Sequence, residues 1–250
     1  MPEDSVISLS LAQLALALVP VVITLAILLY WSFGVGRAVY ALSRMLVQLL
    51  LIGYVLAWIF GVSSGWLITL VLLIMLLASS WIALGAVAEQ RTALLAASFG
   101  SIVIGGGTTL ALITQAVLQL EPWYMPRYMI PLAGMVFANA MTAVSLAAER
   151  LYAELGHGSA WPEARLAAYQ AAMIPVINAL FAVGLVSLPG MMTGQILSGV
   201  SPLIAARYQI VVMCMIFASA GISTALFLAL CKARVLRDAS LRQGVDASAE

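Results

Sequence analysis

The side chains of this protein that could do chemistry are few, and most stand alone. The one histidine, His157, lies in a Gly156-His157-Gly158 turn with no second ligand or base at a useful spacing, and no HExxH occurs. Its natural role there is a solvated turn residue. The apolar runs carry no pair of Asp or Glu to act as an aspartyl dyad or a proton relay. Cys214 and Cys231 share one late apolar run, where their separation along a helix rules against a mutual disulfide and suits small hydrophobes. The run Gly105-Gly106-Gly107-Thr108-Thr109 has no lysine after it and sits inside an apolar stretch. A phosphate-binding loop needs GxxxxGK followed by Ser or Thr between strand and helix, so close helix packing or a kink is the better reading.

What remains is neutral. Asn139, Thr142, Asn178, Thr193 and Gln195 offer amide and hydroxyl oxygens that suit chelates, sugars or lipids equally. Met191 and Met192 offer thioethers, which favour soft Cu(I) over iron. No cluster of His, Cys, Asp and Glu assigns a metal ligand. An intramembrane enzyme would have to start from His157 alone.

The elements that position these groups follow from composition. Apolar residues make up 64% of the 250, charged residues 8%, and mean hydropathy is +1.11. A soluble domain carries about a quarter charged residues, so this chain must face lipid, where the backbone has to satisfy its own hydrogen bonds. Long unalternating apolar runs select helices over a barrel. With about 20 residues per crossing, seven spans are expected: 9–31, 45–60, 66–87, 93–118, 128–147, 172–188 and 208–231, the second and third forming a hairpin broken at Gly61 to Gly65. The acidic start Met1-Pro2-Glu3-Asp4 lacks the basic region of a signal peptide, so the first run is read as a retained span.

The positive-inside rule sets the orientation. With the N-terminus outside, Arg37, Arg44, Arg91, Arg150, Arg165, Lys232, Arg234, Arg237 and Arg242 fall inside, and only Arg127 and Arg207 of the eleven basic residues fall outside. The expectation is an all-α polytopic integral membrane protein, N-out and C-in. A single transmembrane domain covers 1–237, and a small polar tail, disordered, covers 238–250. A net charge of +1 gives no case for nucleic acid.

Two segments depart from the apolar background. The interval 148–166 is the largest polar insertion. Leu151, Tyr152 and Leu155 line one side, Glu149, Arg150 and Glu154 face water, Gly156 stops a short helix, and Pro162-Glu163 suits the start of another. This reads as a helix–Gly–helix unit at the membrane surface, either an interfacial loop or a docking element for a cytoplasmic partner. The second segment, 188–206, has Pro189-Gly190 at one end and Pro202 towards the other, with Thr193, Gln195, Ser198 and Ser201 among apolar neighbours. Interrupted backbone at membrane depth is tolerated where protein or water surrounds it, and such segments line transport paths. Packing of an external loop through its small residues is the rival reading, and 190–206 is apolar enough to re-enter the membrane. The candidates for a substrate path are Asn139, Thr142, Asn178, Gly190, Met191, Met192, Thr193, Gly194, Gln195, Ser198 and Gly199.

The run from Val183 through Leu188-Pro189-Gly190-Met191-Met192-Thr193-Gly194-Gln195 to Gly199, continued by Pro202 and Tyr208 to Met213, closely resembles the signature of the FetB (YbbM-like) permeases. The run Ile130-Pro131 to Met141 is similar to that family's central span, and the likeness extends over essentially the whole chain. The resemblance implies the membrane subunit of an ABC exporter associated with iron, in the plasma membrane or, in a Gram-negative cell, the inner membrane. It implies a separate cytoplasmic ABC ATPase that holds ATP and Mg, two permease copies, and no cofactor on this chain. It also makes Glu149, Arg150, Glu154, Leu155 and Gly156 candidates for coupling to the ATPase. The sequence departs from the family form at His157-Gly158-Ser159, where Ala-Thr or Ala-Ser is expected. A non-transporting membrane scaffold or sensor is the alternative function.

Overall fold

The computed structural model describes residues 10–31, 34–61 and 64–246. The acidic N-terminus, Val62-Ser63 of the hairpin break and the last four residues of the tail lie outside the described residues. Among the described residues the structure is all-helical, with seven stretches long and apolar enough to cross a membrane: Ala12–Tyr30, Val35–Phe60, Gly65–Ala83, Ala88–Val117, Pro126–Gly156, Trp161–Ala182 and Pro202–Arg237. It is a polytopic integral membrane protein. The chain divides into two compact units, residues 1–63 and 64–250.

The first unit holds α1 (Leu11–Leu16), α2 (Val19–Tyr30) and α3 (Val35–Phe60). Ser10 begins α1 with a capping box: its Oγ accepts from the Gln13 N–H (3.3 Å), and Gln13 Oε1 accepts from the Ser10 N–H (2.7 Å). Pro20 follows in the first turn of α2, where its missing N–H costs no helical bond. Helix α3 starts ten residues before the expected Met45 and takes in Arg37 and Arg44. At 1.5 Å per residue its 26 residues reach about 39 Å, against a hydrocarbon core of about 30 Å. It is thus longer than the layer is thick, and both arginines lie in its first three turns.

The second unit holds α4 (Gly65–Ala83), α5 (Arg91–Ile102), α6 (Thr108–Ala111), α7 (Pro126–Gly156), α8 (Trp161–Ala182), α9 (Gly190–Leu197) and α10 (Pro202–Asp246). Helix α7 lies at its centre. Met129, Leu132, Ala133, Val136, Phe137, Ala140, Val144, Ala147 and Leu151 recur every three or four residues and are buried. The α8 stripe Ala164, Ala168 and Ala172 is buried too, and small residues at four-residue spacing let membrane helices approach closely.

The fourth span is not one regular helix. A 3-10 turn at Ala88–Gln90 leads into α5, and π-helical turns at Val103–Gly107 and Leu112–Val117 flank α6. The glycine run forms the first π turn. A Cβ on Gly105 would lie 2.5 Å from Ser223 Oγ and 2.6 Å from the Ser223 backbone nitrogen; one on Gly106 would lie 3.1 Å from Val136 Cγ1. The segment is thus the close crossing of the fourth span against α10 and α7.

Two boundaries correct the sequence reading, and a third, the helix end at Gly156, falls where the sequence put it. Helix α7 runs unbroken through 148–156 and α8 starts at Trp161, so the interval 148–166 is not a separate helix–Gly–helix unit but the facing ends of two long helices. Glu149, Arg150, Glu154 and Arg165 are good helix formers, and hydropathy marks only the apolar part of each helix. Gly156 is the last helical residue. The left-handed position that ends α7 belongs to Gly158, at φ +85°. Finally, the backbone of 238–246, expected to be disordered, continues α10, since Ala, Leu and Arg permit the helix to run on.

Candidate functional site

The site is built by the way α8 is stopped and α10 begun. Pro175 inside α8 removes one helical N–H. After Ala182 the chain turns: the Ser187 N–H donates to the Ala182 carbonyl (3.1 Å), and the Gly184 N–H to the Ser187 carbonyl (2.9 Å), with Gly184 at φ +81°. Pro189 is extended and opens α9, whose eight residues are too short to span. Thr193 Oγ1 donates back to the Pro189 carbonyl (3.2 Å). Helix α9 ends in a Schellman motif: the Val200 N–H donates to the Gln195 carbonyl (3.0 Å) and the Gly199 N–H to the Ile196 carbonyl (2.9 Å), with Gly199 at φ +88°. The short helix is held at both ends, and α10 starts again at Pro202.

This arrangement leaves a cavity of about 340 Å³ between α7, α8, the 183–189 turn, the start of α9, and α10. Its walls are mostly apolar, including Ala143, Val176, Val212 and Ile216. The polar groups are Asn139, Thr142, Ser187 and Gln209, and the thioethers of Met135, Met191 and Met213 complete it. No ionisable side chain is among the lining residues. Asn139 Nδ2 donates to the Met135 carbonyl (2.8 Å) and Thr142 Oγ1 to the Ala138 carbonyl (2.9 Å), which fixes both side chains against α7. Gln209 is 6% exposed, and its Oε1 is buried with no hydrogen-bond partner. Among the described residues no three His, Cys, Asp or Glu come together as a metal cluster.

The cavity gathers Asn139, Thr142, Gly190 and Met191 from the expected path residues. Met192 lines a neighbouring cavity instead. Asn178 is on the exposed face of α8, beside the exposed Ile177 and Phe181. Thr193, Gly194, Gln195, Ser198 and Gly199 belong to α9 and its stop but do not line the main cavity. Ser198 Oγ donates to the Gly194 carbonyl (2.8 Å), while Gln195 Oε1 is buried and unpartnered. Sequence reasoning missed Gln209, Ser187, Met135 and Met213. Gln209 was legible in principle, as a single amide near the start of a charge-poor helix with Val212, Met213 and Ile216 on the same side.

At the opposite end of α7, Glu149, Arg150 and Gly156 are exposed, whereas Glu154 and Leu155 are half-buried. Arg150 Nη2 pairs with Glu154 Oε1 (2.5 Å), and Glu154 Oε2 accepts from Ser159 Oγ (2.9 Å). The Ser159 N–H donates to the Glu154 carbonyl and the Gly158 N–H to the Leu155 carbonyl, both at 3.1 Å. Glu154 thus ties the end of α7 to the turn before α8, and this turn is a second Schellman motif.

The chain is similar to named proteins over most of its length. It is 36% identical over 208 residues to the UPF0014 membrane protein slr1647 of Synechocystis, covering 76% of this chain and 79% of the relative. It is 33% identical over 232 residues to the probable iron export permease protein FetB of Escherichia coli, covering 85% and 86%. With the protein ALUMINUM SENSITIVE 3 of Arabidopsis thaliana it shares 35% identity over 227 residues, covering 82% and 80%. No solved structure matches it. Residues 11–236 match the family described as UPF0014, an uncharacterised protein family. The chain belongs to the UPF0014 family of membrane proteins.

Proposed function

We propose that this chain is the permease subunit of an ABC transporter that moves iron, or another metal or small solute, outward across the plasma membrane. The observation that carries the reading is the cavity between α7, α8, α9 and α10, formed where α9 interrupts the spans and lined by neutral oxygen and thioether groups. Broken helices around a polar cavity are a recurrent way to hold a solute at membrane depth. The relative named a probable iron export permease supports the direction and the cargo. ATP hydrolysis, with Mg, belongs to a separate cytoplasmic ATPase that docks at the 156–161 turn, with Glu149, Arg150 and Leu155 at its edge. The distribution of basic residues supports the N-out, C-in orientation that puts this turn in the cytoplasm.

Two copies form the transporter. Asn178 supports this, because an amide on an exposed face of a spanning helix finds no hydrogen-bond partner in lipid and finds one against a second copy or a water path. The test is reconstitution with the partner ATPase in vesicles. ATP-dependent metal flux, lost without the ATPase, is the expected result. Flux by the permease alone would overturn the reading, and partner binding with no flux for any solute would favour the scaffold.

A further inference from the structure

The main cavity does not end at Gln209. A second cavity of about 360 Å³, lined by Met192, Ala206 and Cys214 among others, also has Gln209 in its wall. The two share Val183, Gln209 and Met213 as a common wall. Gln209 is the one amide among the residues that line both, and its Oε1 is buried and without a partner. A buried acceptor left unmade is costly, so whatever fills the junction gains most by bringing an N–H or O–H donor. Neither lining contains an ionisable side chain apart from the Cys214 thiol. An ion with uncompensated charge would lose its hydration there and find no opposite charge.

We infer that Gln209 is the specificity-determining residue of one solute site formed by the two cavities, and that the site takes a charge-neutral, hydrogen-bond-donating complex rather than a bare metal ion. This rests on the permease reading and narrows its cargo. A trivalent metal would travel with its charge cancelled by its chelator, the chelator's N–H groups or metal-bound waters donating to Gln209 Oε1. Met135, Met191 and Met213 would pack against its apolar exterior.

Cys214 is an exposed thiol in the second cavity and Cys231 a buried one, so the protein carries its own reporter and its own folding control. Purified full-length protein is treated with N-ethylmaleimide, and alkylation of each cysteine is followed by peptide mass spectrometry. The probes are neutral tris(acetohydroxamato)iron(III), which bears N–H groups, its N-methylated analogue, which has none, and aqueous ferrous ion. The N–H complex should slow Cys214 alkylation at concentrations about threefold to tenfold lower than the N-methyl complex, the loss of one neutral hydrogen bond. Ferrous ion should not protect. Gln209→Leu should remove the difference between the two complexes, with Cys231 still unlabelled as evidence of an intact fold; Gln209→Asn serves as a second variant and should retain part of the difference.

Absence of protection in the wild type, equal protection by both complexes, or discrimination that persists in Gln209→Leu overturns the inference. So does protection by ferrous ion as strong as that by the neutral complex. ATP-driven flux of the same probes is measured in parallel with the partner ATPase. Protection without flux leaves the site standing and defeats the transport reading. Flux without protection does the reverse.

Discussion

Two glycine-rich segments of this protein use the same residue for opposite ends. In the fourth span Gly105 and Gly106 are buried where three helices cross, and a methyl group on Gly105 would meet the Ser223 backbone. In and beside α9, a Cβ on Gly190, Gly194 or Gly199 would meet nothing within 4 Å. One set of glycines closes a gap between helices. The other stands in open space, with Gly190 in the cavity wall, and at Gly199 supplies a left-handed residue that stops a helix. The rival reading of 188–206 as a loop whose small residues pack closely does not describe these glycines within the chain.

The comparison can be broken at each site. Gly105→Ala should have the largest effect, because the added carbon meets backbone rather than a movable side-chain end. A loss of about 1–3 kcal/mol, the usual cost of overpacking, is expected, read as a lower melting temperature in detergent. Gly199→Ala should cost about 1–2 kcal/mol from left-handed strain alone, with the loss confined to α9 as seen by faster amide exchange there. Glu154→Ala removes a half-exposed ion pair and the Ser159 bond, and should lower stability by no more than about 1 kcal/mol. Gly194→Ala should be neutral or stabilising by about 0.5–1 kcal/mol, since a helical glycine with open space around it gains from alanine. If Gly194→Ala destabilised as much as Gly105→Ala, the distinction between the two segments would fail.

Much of the fold was legible in the sequence, because a span is a local property: about 20 apolar residues in lipid have little choice but to form a helix. Helix ends were less legible. The polar turns of α7 around Glu149 and Arg150 look like a break by hydropathy, yet their residues propagate a helix well. Choosing between Gly156 and Gly158 as the stop depends on which residue takes positive φ, which composition does not encode. The site was half legible. Asn139, Thr142 and Met191 stand out as residues near a broken segment, but Gln209 becomes a candidate only when α10 folds back against α7 and α8. The π turns at 103–107 and 112–117 had no signal beyond the glycines themselves.

The central claim is that solute passes through the neutral cavity. Its most direct test is ATP-dependent iron accumulation in inside-out vesicles carrying the permease and its ATPase, comparing wild type with Thr142→Trp, which fills the cavity from an exposed edge of α7. The account predicts loss of accumulation while assembly with the ATPase and membrane insertion persist. Undiminished accumulation with the cavity filled would contradict it.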